Sequence, residues 1–575
     1  TAKDVPGVNG FGLIVPDQPV LCDKVVRYEG DVLAVVAAET DEIARQARAL
    51  IRVEYEPLPI VADPEQALQP DAPQLHPQGN LCAELTLGQG DIAAGFATAD
   101  YVFEYTYQTG RQAHAFLETE AGVAYYDEAG LLTLCVGGQN PFNDREQVAS
   151  ALGLPEEQIR VLNPMMGGAF GGKEDISVQI YLALVTYHTK RPCRLMLDRE
   201  ESLRAGVKRH PFHVRYKTGV RKDGILTACE VEILADAGAY TTLSPGVITV
   251  ATNHCCGPYH FPHTKITAKA VFTNNGNASA FRGFGNPQMV IGIEQQMDQM
   301  ARAVGLDGVT FRRRNAIQSG QISGEGFPVT GTVTLPQVLA SVEKSALWQA
   351  REQSKQTSDP SRRSLWKKRG VGLAAIWQSF GVGTGTEKGA HTRIELQPTG
   401  RYRIHLSAPD LGGGSVTACL QLAAQELHCA VTNFDVVMGD TQGPNAGSSN
   451  ASRTMFVVGG AVMDGAAKLR NAILPAARQL NLPGEPVLNG GQVQAGDHVV
   501  PLAELVAELG PLTADGFFKP ALPDQPFVVG APQAFGFSAQ LALVEVDMLT
   551  GEVEVLQLEN HLDVGRAINP QGVEG

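Results

Sequence analysis

Nowhere in the 575 residues does a C-x-x-C pair occur, and the nine cysteines are scattered and odd in number. That pattern offers neither an iron–sulfur signature nor a disulfide framework. It fits buried free thiols in a reducing compartment, so a cytoplasmic location is expected. Long apolar runs are missing too, none reaching the roughly 20 residues of a membrane span. Basic residues are the minority charge, 46 Lys and Arg against 61 Asp and Glu, giving a net charge of −15. Broad binding to nucleic acid or to an anionic membrane is disfavoured, although a local basic pocket for a small anion is not. The opening TAKDVPGVNG has no Met, no basic start and no apolar core, and does not read as a signal peptide. The chain breaks off within INPQGVEG, so further polypeptide is expected at both ends.

Glycine, by contrast, is plentiful: 62 residues, gathered into loops. Gly lets backbone N–H groups approach a ligand without a side chain between them, so the clustering suggests a large ligand held by many loops. A chain of this length should divide into two to four domains.

Segment 31–40 (DVLAVVAAET) reads as a buried strand. A helical stretch DEIARQARALI follows with Asp41 as its cap, and then an alternating strand from Arg52. This β-α-β unit makes a first module, residues 1–64, and the Pro-rich segment 66–80 reads as a loop linker. NDREQVASALGLP is a helix that Asn143 can cap and that Gly153 and Pro155 stop. EDISVQIYLALVTYHTK is a second, placing Glu174 at a helix start. Residues 331–368 are taken as a linker, overlapping the polar, basic stretch 353–370 that joins the two large domains. Beyond it, alternating strands carry hairpin turns at Thr399–Gly400 and Thr550–Gly551, and a helix leaves the glycine loop DLGGGS. The fold class is α+β.

Within MGGAFGGKED, Gly167, Gly172 and Lys173 stand at the P-loop spacing G-x-x-x-x-G-K. A P-loop then needs a Ser or Thr hydroxyl for Mg²⁺, and Glu174 is there instead. A carboxylate facing a polyanion at that range costs about 1 to 4 kcal/mol, so nucleotide hydrolysis is rejected. Glu174 is then either a complement to a helix dipole or a group pointing into a pocket. ASAFRGFGNPQ sets two Phe around Arg282 in a Gly-rich turn, for core packing or for stacking on a planar ligand. SSNASRTMFVVGG suits a loop donating N–H and hydroxyl groups ahead of a helix, or a plain cap. HCCGPYHFPH, with His254, Cys255, Cys256, His260 and His263, lacks zinc-ligand spacing and reads as a turn.

Taken together, MGGAFGGKE, RPCRLMLDREE, RHPF, AFRGFGNPQ and the later GDT and ASRT stretches resemble the molybdenum-cofactor subunit of the xanthine oxidase and aldehyde oxidase family. The resemblance implies a partial a/b hammerhead domain (1–64), a first molybdopterin-binding domain (65–330), and a second, incomplete one (369–575). It implies a molybdenum held through the dithiolene of a pterin, in the bare or the cytosine dinucleotide form, with no direct side-chain ligand. Carried over, Gln139, Phe170, Arg282 and Ala451 surround the metal, and Gly168, Gly171 and Ser452 join them in binding the cofactor. Phe284 stacks on the substrate ring and Glu174 hydrogen-bonds a heterocycle. The family's general-base Glu is expected beyond Gly575, and Glu485 is rejected for that role. The implied reaction is hydroxylation of a purine-like N-heterocycle with oxygen from water. Electrons would leave through [2Fe–2S] centres and then FAD or another acceptor on other domains or subunits, in an oligomeric assembly. Alternatives are an aldehyde or other heteroaromatic dehydrogenase, or a protein that stores or transfers the cofactor. This chain departs from the family pattern in LGGGS, where Gly413 replaces a glutamine. SPGVITVATNH has Val250 near an expected Arg, and FGVGTGTEKG lacks a second stacking Phe. Hypoxanthine or another N-heterocycle therefore fits as well as xanthine.

Overall fold

Five sheets, each covered by helices or by another sheet's core, organise the described residues of the computed structural model, which are 1–354, 366–381, 388–480, 483–521 and 534–574. The largest sheet orders its strands Leu81–Gln89, His263–Phe272, Leu226–Gly238, Phe212–Val220, Tyr101–Gln108. Its central strand Leu226–Gly238 runs parallel to one neighbour and antiparallel to the other, and is buried along most of its length. Helix Asn286–Ala303 lies across this sheet. It buries Met289, Ile293, Met297 and Met300 at helical spacing, and Pro287 sits in its first turn. That buried helix anchors the Phe-rich loop just before it.

A four-stranded sheet, Ile159–Leu162, Leu132–Val136, Ala121–Tyr126 and Cys193–Met196, shares a core with Phe11, Val20 and Leu21 from the N-terminal module. The second half has its own core around Ile394, Tyr402 and Val462. Its sheet Phe434–Met438, Tyr402–Leu406, Ala390–Leu396 and Leu512–Phe518 packs against helix Gly459–Arg478. Strands Lys367–Ser379, Phe535–Asp547 and Val553–Asp563 form the connecting sheet, and their Trp377 and Phe537 enter the core of the first half. Both expected hairpins form, with Gly400 and Gly551 at φ 77° and 76°.

Several local expectations are corrected. Residues 31–40 and 52–61 form no strand: alternation supplies the side-chain pattern, but a strand also needs a ladder partner, and the described residues provide none. Helix Asp41–Leu50 is capped by the Thr40 hydroxyl, which accepts from Ile43 N–H at 3.3 Å, rather than by Asp41. Helix Pro141–Leu152 is capped by Asn140, with Pro141 in the first turn, so Asn143 lies inside it. The second helix starts at Gln179, five residues after Glu174, because 170–178 is spent on consecutive turns. The segment 331–368 contains helix Leu335–Lys344, whose Leu335, Leu339 and Val342 are buried in the first core. Residues 355–365 of that segment lie outside the described residues, as does most of the loop FGVGTGTEKG. The Pro-rich loop is packed: buried Asn80 donates to Ala67 and Pro73 carbonyls at 3.0 and 2.8 Å. No helix among the described residues is long and apolar enough to cross a membrane.

Candidate active site

Gln139 joins the two halves. It leaves the strand Leu132–Val136 through two glycines and is 2 % exposed. Its side-chain carbonyl accepts from Gly171 N–H at 3.0 Å, and its amide donates to the Ser449 carbonyl at 2.9 Å. Its backbone N–H donates to Lys173 and its carbonyl accepts from Ser449, at 3.0 and 2.9 Å. One residue thus fastens the loop 166–175 to the loop 448–453. The pairing is reinforced where Arg160 donates twice to Asp440, at 3.1 and 2.6 Å, and Val161 exchanges hydrogen bonds with Thr441. Asp410 organises the remaining glycine loop, accepting from the N–H groups of Gly412, Gly414 and Val416. Its own carbonyl accepts from Met166 N–H, so both glycine-rich loops meet.

The backbone around this junction adopts sparsely populated conformations at several non-glycine residues. Among the described residues eight non-glycine residues have positive φ, and four are site positions: Phe170 at 54°, Phe284 at 49°, Ala451 at 47° and Ser452 at 51°. Each such residue costs of order 1–3 kcal/mol and persists only under external constraint. The constraints are visible: Arg282 N–H donates to Phe170 carbonyl at 2.9 Å, Phe284 N–H to Phe281 at 2.7 Å, and Gly381 N–H to Ala451 at 2.8 Å. Phe170 is 43 % exposed, and Arg282, Ala451 and Ser452 are also exposed, above a buried floor of Gln139, Gly168 and Glu174. Gly168 and Gly171, at φ 102° and 99°, cannot take a side chain: a Cβ would lie 2.9 Å from the Phe170 ring and 2.8 Å from the Ala280 backbone. At Gly413 and Gly414 a Cβ would meet nothing within 4 Å. An open rim over a crowded floor is the shape of a cradle.

Glu174 lies in that floor, 8 % exposed, with its N–H donating to Gly171 carbonyl at 3.3 Å. It caps no helix, so the dipole explanation is removed. Burial pushes its carboxyl up to about 7; the Asn450 amide, donating to Oε1, opposes this and the neighbouring Asp175 adds to it. Asp175 is turned elsewhere. With Gly172 and Ser177 it lines a cavity of about 650 Å³, bounded opposite by Tyr28 and Asp31 of the N-terminal module, and burial raises it to about 6. The Phe284 ring rests on helix Ser244–His254, where a Cβ at Gly246 would come within 3.1 Å of it. Val250 is one turn further along the same face.

Other motifs are drawn away from the junction. Lys173 is 1 % exposed and pairs with Glu118 at 3.1 Å, its ammonium 4.7 Å from the Phe116 ring centre, not toward the exposed rim. The His254 imidazole uses both nitrogens on protein, with Val250 carbonyl and Ser379 N–H. No group of three or more metal-ligating side chains gathers among the described residues. Glu485 is paired with Arg478. Sequence reading missed Asn450, Asp410 and Arg209. Asp410 had a signal in the acid-before-glycines pattern of a turn. Arg209 donates to Arg282 carbonyl at 3.0 Å from above the Phe281 ring, and was visible only as part of RHPF.

Comparison with known proteins defines the class first. Residues 75–316 and 341–575 each match the molybdopterin cofactor-binding domain, and residues 1–59 match the aldehyde oxidase and xanthine dehydrogenase a/b hammerhead domain. Over 584 residues the chain is 39% identical to a probable xanthine dehydrogenase subunit of Bacillus subtilis, covering 100% of this chain and 76% of that one. It is 44% identical over 343 residues to the nicotinate dehydrogenase large molybdopterin subunit of Eubacterium barkeri, 60% of this chain and 81% of the other. Its structure is similar to the aldehyde oxidoreductase of Desulfovibrio gigas, with a TM-score of 0.90, 25% identity and full coverage, and spans 62% of that chain. The chain belongs to the xanthine dehydrogenase and aldehyde oxidase family of molybdopterin oxidoreductases.

Proposed function

We propose that the chain is the molybdenum-cofactor part of a hydroxylase that oxidises a purine-like, electron-poor N-heterocycle. The residues fit such a cofactor: a cradle floored by Gly168 and Gly171, strained backbone at Phe170 and Ala451, and a glycine loop at 412–414 with open space above Gly413. Bound there, in the bare or cytosine dinucleotide form, the cofactor would supply two-electron redox chemistry, with water as the source of oxygen. The chain's own share is positioning and proton handling. Gln139 fixes the distance between the loops that would surround the metal, and backbone at Phe170, Arg282 and Ala451 would enclose it. Gly171 and Ser452 contribute further backbone to the cradle. Phe284 offers a ring face to a planar substrate. A glutamate beyond Gly575 is the proposed general base, with [2Fe–2S] centres, FAD or another acceptor and a cytoplasmic, oligomeric setting supplied by the full assembly.

The observation that carries the heterocycle reading is buried Glu174, raised to about 7 and held in the floor by Asn450. An uncharged carboxyl can donate to a ring nitrogen or a ring carbonyl, and an electron-poor N-heterocycle offers such acceptors around the carbon that reacts. Metal and pterin analysis of the full assembled enzyme, followed by a heterocycle and aldehyde panel, tests this. Molybdenum and pterin with heterocycle turnover are expected, with Glu174→Gln losing purine turnover at least tenfold more than benzaldehyde turnover. Equal loss on both would end the assignment of Glu174 to substrate.

A further inference from the structure

Three consecutive basic residues, Lys208, Arg209 and His210, are buried in a chain whose net charge is −15. Burial pushes the His210 imidazole down to about 3, so it carries no charge at neutral pH, and Lys208 feels the Glu120 carboxylate. Arg209 differs from both. Burial lowers it only to about 10, so it stays cationic, yet it has no carboxylate partner among the described residues. Its guanidinium donates to neutral oxygens alone, the Arg282 carbonyl at 3.0 Å and the Gln288 side-chain carbonyl at 3.3 Å, and lies 3.8 Å from the Phe281 ring centre. Other buried cations are compensated: Arg312 by Glu294 and Asp298, at 2.9 Å each, and Lys173 by Glu118. A buried charge is costly unless paired, and buried Arg ordinarily is paired. The same short stretch is gripped again by His114, which burial keeps neutral. Its Nε2 donates to the Ala280 carbonyl at 2.8 Å, and its ring stacks on Phe281 with centres 4.1 Å apart. Arg209 therefore puts a lone positive charge against the backbone that continues, through Arg282 N–H, to Phe170.

We propose that Arg209 is a positioning residue whose counter-charge is the cofactor itself: it fixes the Arg282 carbonyl and its uncompensated charge raises the reduction potential of the metal. This rests on the molybdenum-cofactor reading, in which the Arg282 backbone would enclose that metal. A pterin bearing a dithiolene and a phosphate is an anion, and it becomes more negative on reduction. A fixed cation nearby favours the more negative state, and it does so most where water is excluded. The charge is screened by no carboxylate of its own, so its field reaches across the Arg282 peptide. Arg suits the task because its guanidinium can stack on Phe281 and donate to two carbonyls at once.

The test is a redox titration of the full assembled enzyme, followed through the paramagnetic Mo(V) signal, with molybdenum content measured on the same samples. Arg209→Gln keeps an N–H donor and loses the charge. Its midpoint should fall by at least about tenfold in the two-electron reduction equilibrium, which is ~30 mV. Arg209→Lys keeps the charge without the fork and should recover most of that shift. Gln288→Glu leaves Arg209 in place and sets a carboxylate where its neutral acceptor stood, so it should lower the midpoint in the same direction. A loaded Arg209→Gln enzyme with the wild-type midpoint overturns the proposal, and so does an Arg209→Lys shift equal to that of Arg209→Gln, which would mark a geometric role only. Should Arg209→Gln fail to fold or to load, a loaded Gln288→Glu enzyme with an unmoved midpoint overturns it equally. A wild-type assembly that shows no molybdenum would instead sink the functional reading beneath it.

Discussion

Glu174 couples pH to stability in a direction that can be worked out. Its folded carboxyl, at about 7, lies above the usual carboxylic value because of burial. Between that usual value and about 7 the folded chain therefore holds a proton that the unfolded chain has released. Stability falls as pH rises through this window. Glu174→Gln, which cannot ionise, should raise the melting temperature of the cofactor-free protein at pH 8 and leave it nearly unchanged at pH 4, as read by calorimetry. Gln139→Ala should leave Gly171 N–H and Ser449 carbonyl unpaired, costing about 1–3 kcal/mol in a urea titration, and lower the molybdenum content of the assembled enzyme. The site was legible in the sequence where a motif carries its own chemistry: Gly168, Phe170, Gly171 and Glu174 stand within one loop. Asn450 was not legible as a partner, because nothing local in SSNASRT says that its amide meets a carboxylate 276 residues earlier.

Among elements, turns were more readable than boundaries. Gly400 and Gly551 close hairpins because a positive φ is required there and both flanks alternate. Helix starts were harder. A run with helical periodicity from Glu174 became a helix only from Gln179, since the preceding residues bend around Gln139 and Ala280. Strands 31–40 and 52–61 failed for the complementary reason that periodicity cannot supply a pairing partner. The glycine loop 412–414 allows a sharp contrast. Gly414 has φ 72° at the start of helix Ser415–Glu426, so Gly414→Ala should destabilise by about 1 kcal/mol. Gly413→Gln, at an open position without positive φ, should leave the melting temperature unchanged in a thermal scan.

For the whole molecule, the boundary drawn near residue 331 in the sequence is crossed by packing. Trp377, 1 % exposed, stacks on Phe535 with ring centres 4.2 Å apart and belongs to the core of the first half. Trp377→Ala should cost about 3–5 kcal/mol and split a single calorimetric transition into two. Gln139 spans 310 residues to reach Ser449. A growing chain consequently possesses no complete receptacle until its C-terminal half has emerged and docked. So large a prosthetic group would meet only one side of its cradle before Ser449 is made, and a chain truncated before Ser449 should retain none of it.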